Sequence, residues 1–257
     1  MRRRLSNRRD ILTSLAAGLA TSLTATQTTR PAFGQTAKPT EIDLALVLAA
    51  DCSGSVREEH YDLQQRGYAD AFRHPKVVDA ILSGLHGAVA ICYFQWSGPD
   101  LYNLALPWAL LRNRNDVLAF GAALGKVPRS IFGGGTAPGE AIDFGRQQLQ
   151  SLPWRVTRRV IDISGDGRNN RGQPPAMARD KAVAAGITIN GLPILHMEAD
   201  IDSYYEQNII GGSGAFIMPA RDYASFADAI RRKLILEIAA QPPGGRKQAV
   251  TAKARDG

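Results

Sequence analysis

The sequence predicts an α/β domain built on a doubly wound, mainly parallel sheet with helices on both faces. Three observations carry that prediction. Strand-like segments recur at Ile42 to Ala50, Ala88 to Trp96, Arg159 to Ser164 and Ile187 to Leu192, and the first two are nearly continuous apolar runs, which suit strands covered on both sides. Segments with apolar residues at helical spacing lie between them, and strand–helix alternation is the pattern of a parallel sheet. Carboxylates also follow two of the runs closely, Asp51 and Asp166, and the carboxyl ends of strands are where such sheets place their ligand sites.

Taken in order, the first strand is Ile42 to Ala50, with Asp43 as a polar residue near its start. Residues 57–73 set Tyr61, Tyr68 and Phe72 on one helical face, and Pro75 marks the stop. The second strand is Ala88 to Trp96. Leu101 to Trp108 reads as a short third strand near the sheet edge, ended by Pro107, and a helix runs from about Asp116 to Leu124. Gly133 to Gly135 form a loop. Pro138 opens a helix whose inner face is Ala141, Ile142, Gly145 and Leu149. The strand Arg159 to Ser164 leaves through the polar loop Asp166-Gly167-Arg168-Asn169-Asn170, and Pro174 and Pro175 open a helix that Gly186 closes. After the strand Ile187 to Leu192, residues 200–210 suit either helix or loop. Ala215 to Met218 reads as a last short strand, and 222–238 as a final helix burying Tyr223, Phe226, Ala227, Ile230 and Leu234. There is no internal repeat.

The 257 residues are 44% hydrophobic and 21% charged, which is enough to bury one substantial core. Of the formal net charge of +7, residues 1–34 hold +5 and residues 241–257 hold +3, which leaves −1 for the body. A folded part with no basic excess argues against nucleic acid as a partner. The amino terminus has a basic stretch, an apolar segment from Ile11 to Leu23 diluted with Ala, Thr and Ser, and small residues Ala32 and Gly34. That is the layout of an export signal cleaved near Gly34. Ser6-Asn7-Arg8-Arg9-Asp10-Ile11-Leu12 resembles a twin-arginine motif, although Asp10 departs from it. The segment is too short and too polar to make a good membrane span, so no stable membrane insertion is expected. The expected organisation is therefore an export signal over 1–34, a linker over 35–41, a folded domain over 42–238 and a disordered tail over 239–257, in a periplasmic or secreted protein. Cys52 and Cys92 lie in apolar runs and read as buried thiols more than as a disulfide.

The stretch Asp51-Cys52-Ser53-Gly54-Ser55 presents a carboxylate and two hydroxyls at a strand end. Thr136 follows the glycine loop and Asp166 the third long run, so both can reach the same sheet edge. Two carboxylates and three hydroxyls suit a hard cation, magnesium or manganese, with calcium a further candidate. With Ser53, Ser55 and Thr136 as direct neutral ligands and Asp51 and Asp166 acting partly through water, the ion stays electron-poor. It then takes an anionic ligand from outside, such as a partner's carboxylate.

These residues resemble the D-x-S-x-S signature of the von Willebrand factor type A domain, with Thr136 and Asp166 where that family places its later threonine and aspartate. The resemblance covers about residues 40–238 and is nearest to secreted bacterial members of unestablished function. It implies a doubly wound fold and protein binding through a magnesium or manganese ion held by Asp51, Ser53, Ser55, Thr136 and Asp166. Two departures stand out. The exit loop reads Ser164-Gly165-Asp166-Gly167 instead of the commoner Thr-Asp-Gly, and Asp162 puts a carboxylate in mid-strand. For Asp162 a hydrogen-bonded structural role is expected.

A phosphatase-like hydrolase is the alternative, since haloacid dehalogenase-type enzymes also begin on a strand-end aspartate and carry a Gly-Asp-Gly loop. Ser53 here stands where their second aspartate, the acid/base, belongs. Gly211-Gly212-Ser213-Gly214-Ala215 misses the last glycine of a serine-hydrolase elbow. A metal-independent scaffold in an exported complex is a further alternative. His60, His74, His86 and His196 show no metal spacing, and of these His60 is near enough to border the site. The expectation is an exported, non-enzymatic, cation-dependent protein-binding module, with its oligomeric state open.

Overall fold

The centre of the molecule is the strand β1 (Glu41–Asp51), in which every residue from Leu44 to Asp51 is buried. A computed structural model describes residues 40–240. The expected export signal, its cleavage near Gly34, nearly all of the linker and the tail beyond Ala240 lie outside the described residues.

From β1 the chain runs through α1 (Glu58–Arg73), α2 (Pro75–Leu82), β2 (Val89–Trp96), β3 (Tyr102–Leu111), α3 (Arg114–Leu124) and α4 (Pro138–Gln150). It continues through β4 (Arg155–Gly165), α5 (Pro175–Ala184), β5 (Ile187–Pro193), α6 (Ile201–Asn208) and α7 (Phe226–Ala239). The strands form one sheet in the order β3-β2-β1-β4-β5, parallel except for β3. Strand order reverses on either side of β1. The carboxyl ends of β1 and β4 therefore lie side by side, with Ala50 opposite Ser164, at the switch point where such folds bind ligands.

The two faces of β1 divide the core. Leu44, Leu46 and Leu48 pack with Tyr68 and Phe72 of α1, Phe120 of α3 and Phe226, Ile230 and Leu234 of α7. Ala45, Val47 and Ala49 pack with Ala141 and Ile142 of α4, Ala178 and Ala182 of α5 and Tyr205 of α6. Each buried Leu or Phe adds about 1.5–3 kcal/mol, so apolar burial on both faces holds the sheet. Cys52 lies in the first core and Cys92 in the second, and both are free.

The elements depart from the sequence reading in four places and resolve residues 200–210, which the sequence leaves ambiguous. Pro75 does stop α1, yet it also opens a second helix: it stands in the first turn of α2, with the His74 ring accepting from the Lys76 N–H. The third strand does not end at Pro107 but runs on to Leu111, antiparallel to β2. Its register slips between the pairs Tyr93–Leu106 and Ile91–Ala109, and Pro107, which has no N–H, is accommodated at that bulge on an edge strand. Residues 200–210 contain the helix α6. Ala215 to Met218 do not form a strand. Gly212 and Gly214 hold φ of +95° and +70° just before them, and the Phe216 N–H donates to the side chain of Asn190, leaving isolated bridges only. The last helix begins at Phe226, not 222, because Asp222 and Ser225 close a turn of their own: the Ser225 N–H donates to Asp222 Oδ1 at 2.8 Å and the Ser225 hydroxyl to the Asp222 carbonyl at 2.9 Å.

Candidate functional site

At the end of β1 the chain turns sharply: Asp51 Oδ1 accepts the Ser53 N–H at 2.7 Å, and the Val56 N–H donates to the Ser53 carbonyl. This turn lifts both serine hydroxyls onto the sheet edge. Ser53 Oγ and Ser55 Oγ lie 3.1 Å apart, and the Ser55 hydroxyl donates to Asp166 Oδ1 at 2.6 Å. One chain of polar contacts thus links Asp51, Ser53, Ser55 and Asp166 across two parallel strands.

Thr136 arrives from the third loop. Gly133, Gly134 and Gly135 all have positive φ, +89°, +100° and +94°, a succession that side chains resist and glycine permits. The Ser97 hydroxyl, at the end of β2, gathers this loop by donating to the carbonyls of Gly133 and Gly135, and the Ala137 N–H donates to the Ser97 carbonyl. Asn170 ties the loop to the exit of β4. Its Oδ1 accepts the Thr136 N–H at 2.8 Å and its own N–H donates to the Thr136 carbonyl at 3.0 Å. The Thr136 side chain consequently borders Gly167, where a Cβ would meet Thr136 Oγ1 at 3.7 Å. All five residues singled out in the sequence therefore gather at one sheet edge.

Asp51 and Asp166 are fully buried, and Ser53 and Thr136 nearly so. Asp51 Oδ2 has no hydrogen-bond partner. Burial, and next the neighbouring Asp166 carboxylate, push the Asp51 carboxyl from 3.8 up to about 7. Two buried carboxylates with one oxygen unpartnered, faced by hydroxyls that are the ligands of hard ions, form a donor set that a small dication fits. A proton or a cation relieves the same repulsion.

Gly165 explains the unusual exit loop. A Cβ there would lie 2.8 Å from both Asp51 Oδ2 and the Tyr205 hydroxyl, so the commoner residue would collide with the aspartate. Sequence reasoning also missed Tyr223, whose hydroxyl donates to Asp166 Oδ2 at 2.9 Å. With Ser55 on Oδ1, both oxygens of Asp166 are held. His60 does border the site: its ring stacks on Tyr223 at 4.2 Å, and His196 meets His60 edge-on. Tyr223→Phe is expected to cost about 1–3 kcal/mol in urea unfolding without metal, since it removes a donor to a buried carboxylate.

Among the residues after Asp166, Arg168 is paired with Glu198 at 2.6 Å and Asp200 at 2.7 Å. Arg129, unremarked in the sequence, braces the site from the other side. Its guanidinium donates to the carbonyls of Cys52 and Ser53 at 3.2 Å and of Ile131 at 2.9 Å.

Asp162 faces away from this centre, toward α7. It is ion-paired with Lys233, Nζ to Oδ1 2.7 Å, and Glu237 sits 3.3 Å from the same ammonium, with all three side chains buried. The sequence reading predicts a hydrogen-bonded carboxylate here; the structure shows a buried ion pair instead. Burial pushes Asp162 up to about 7, the Lys233 ammonium pulls it down and Glu237 adds to the rise. Asn190 Nδ2 donates to Glu237 Oε1 at 2.6 Å.

Comparison with known proteins gives a family and a fold. A family described as "Protein of unknown function (DUF1194)" matches residues 41–242. Among curated proteins none matches significantly. Proximal thread matrix protein 1 from the mussel byssus superimposes with a TM-score of 0.58 at 16% identity, over 78% of this chain and 48% of that one. A further structure of it has a zinc-occupied MIDAS motif, with a TM-score of 0.53 at 15% identity over 78% of this chain and 49% of that one. The pilus adhesin SpaC from Lactobacillus rhamnosus GG gives 0.52 at 16% identity, over 77% of this chain and 30% of that one. A von Willebrand factor type A protein from Catenulispora acidiphila gives 0.50 at 16% identity, over 77% and 43%. The chain spans half the length of these proteins or less. The fold is that of the von Willebrand factor type A domain.

Proposed function

The chain belongs to the DUF1194 family, and for it we propose a divalent-cation-dependent protein-binding module that captures an acidic group of a partner. The observation that carries this reading is the buried pair Asp51 and Asp166, joined through Ser53 and Ser55, with Asp51 Oδ2 unpartnered. Ser53, Ser55 and Thr136 would hold the ion directly, with Asp51 and Asp166 acting partly through water. Magnesium or manganese suits this set, with calcium third. With an ion bound, the site would offer a Lewis-acidic position to a partner's carboxylate. The chain's own residues fix the geometry: Tyr223 and Ser55 orient Asp166, Asn170 sets Thr136, and Arg129 holds the turn that carries Ser53. The module works outside the cytoplasm, in the periplasm or secreted, after twin-arginine export and cleavage near Gly34. The module is read as non-enzymatic, and Ser53 stands where a haloacid dehalogenase-type phosphatase needs its acid/base. The zinc-occupied motif of the mussel protein and the adhesin among the structural neighbours support this reading.

The test is a metal titration followed by thermal and urea unfolding. Magnesium or manganese at ten times its dissociation constant is expected to add about 1.4 kcal/mol. Asp51→Ala and Asp51→Asn should abolish that gain while the chelated variants still unfold cooperatively. A wild type that gives no heat and no stabilisation with either ion overturns the proposal. Phosphate-ester turnover lost in Asp51→Asn would establish the hydrolase instead.

A further inference from the structure

Beside the strand-end site the glycine loop carries a large apolar side chain into solvent. Phe132 is 71% exposed, although it immediately precedes the three glycines that lead to Thr136. The Arg129 guanidinium lies over its ring, 4.9 Å from the centroid, and the same guanidinium binds the carbonyls of Cys52 and Ser53. Leu101, also exposed, lies against the same loop, for its side chain occupies the space where a Cβ on Gly134 would stand. Exposed apolar side chains scattered singly need no explanation, but two on the loop beside a candidate binding site do.

The charges around this loop are unequal. Arg168 is compensated by Glu198 and Asp200, and Arg57 by Glu59. Arg129 directs its donors to backbone carbonyls, and no carboxylate among the described residues pairs with it. Arg171 is exposed, lies against Gly135, and has no carboxylate partner among the described residues either. Two uncompensated guanidiniums and an exposed aromatic ring therefore lie along the loop that delivers Thr136, and the exposed carboxylate of Asp100 stands next to Leu101 in the chain. This combination is complementary to a particular kind of surface, one in which acidic groups alternate with an apolar side chain.

We infer that the partner is an acidic protein segment in which the carboxylate directed at the strand-end site is followed closely by an aromatic or aliphatic side chain, which seats on Phe132 and Leu101, and by a second carboxylate, which meets Arg171 and Arg129. The inference rests on the proposed function and adds which partner chemistry the site selects. A site holding only a cation and hydroxyls attracts any carboxylate. The ring of Phe132 supplies the apolar selectivity, and Arg171 the preference for a second charge.

The probe is a displayed library of random twelve-residue peptides, selected on the full-length protein in magnesium and counter-selected in chelator. The selected peptides are then synthesised and titrated. Enriched sequences should hold Asp or Glu next to, or within a few residues of, Phe, Tyr, Trp, Leu or Ile, with a second acidic residue beyond. Phe132→Ser and Arg171→Ser touch exposed side chains outside the proposed ion site. Each should weaken the synthetic peptide by about tenfold or more, with magnesium affinity by calorimetry unchanged. Metal-dependent peptides that lack the apolar neighbour, or that bind both variants as tightly as wild type, overturn the inference and leave the cation-dependent module standing. No metal-dependent enrichment overturns this inference alone if the wild type shows a magnesium heat, and both readings if it shows none. Enrichment of basic peptides overturns it as well.

Discussion

Lys233→Met should destabilise the protein by about 3–5 kcal/mol at pH 8, because it strands two buried carboxylates with no counter-charge. Asp162 and Glu237 share that ammonium at 2.7 and 3.3 Å in a place without solvent. The loss should shrink at pH 5, where Asp162, raised to about 7, takes up a proton. The wild type has its own slope in the same range. Asp162 and Asp51 are each raised from 3.8 to about 7 in the folded state. Between these values the folded chain retains protons that the unfolded chain has released, so stability falls as pH rises from about 4 to about 7 and levels off above. Urea unfolding of both proteins at pH 5 and pH 8 tests the pair of statements. A Lys233→Met protein as stable as wild type at pH 8 would mean that Asp162 is already neutral there, and that the trio is held by hydrogen bonds. Asp162→Asn in the same background should restore part of the loss, since the two positions touch and their effects are not additive.

Gly165→Ala should abolish the response to magnesium and cost about 1–3 kcal/mol, the usual range for overfilling a packed interior. The added methyl would stand 2.8 Å from Asp51 Oδ2 and from the Tyr205 hydroxyl. Asp51 is already held by the Ser53 N–H, so relief comes only by moving the carboxylate out of the site. Gly167→Ala is the matched control. Its methyl would meet only the Thr136 side chain at 3.7 Å, an ordinary contact, and both stability and metal response should be kept. Equal metal responses in the two variants would show that the position of Asp51 is not critical to binding the ion.

The strands and the signature at Asp51, Ser53 and Ser55 were legible because their information is local: an unbroken apolar run, a carboxylate, and hydroxyls at alternate positions. Asp166 was placed by its position at a strand's end, and Thr136 by the glycine loop that opens a helix and by the resemblance to the type A domain. What escaped depends on contacts between distant residues. Tyr223 has the spacing of a helix face, and only the Asp222–Ser225 turn shows that it precedes the helix and reaches back to Asp166. Lys233 sits within an apolar helix face, and nothing in its neighbourhood names Asp162, 71 positions earlier, as its partner. Asp162 looked anomalous in the sequence for a sound reason, but the reason lay on another element. Pro75 shows the reverse difficulty, since one residue served both to stop a helix and to start the next.

Both borders of the sheet are closed to further strands. At one side β3 carries Pro107 and a slipped register, which deprive an incoming strand of a donor and of an even ladder. At the other, the segment around Gly211, Ile217 and Ala220 bridges onto β5 and its exit without continuing as a strand itself. A sheet capped in this way resists lateral growth into filaments or aggregates, even when many copies are crowded together.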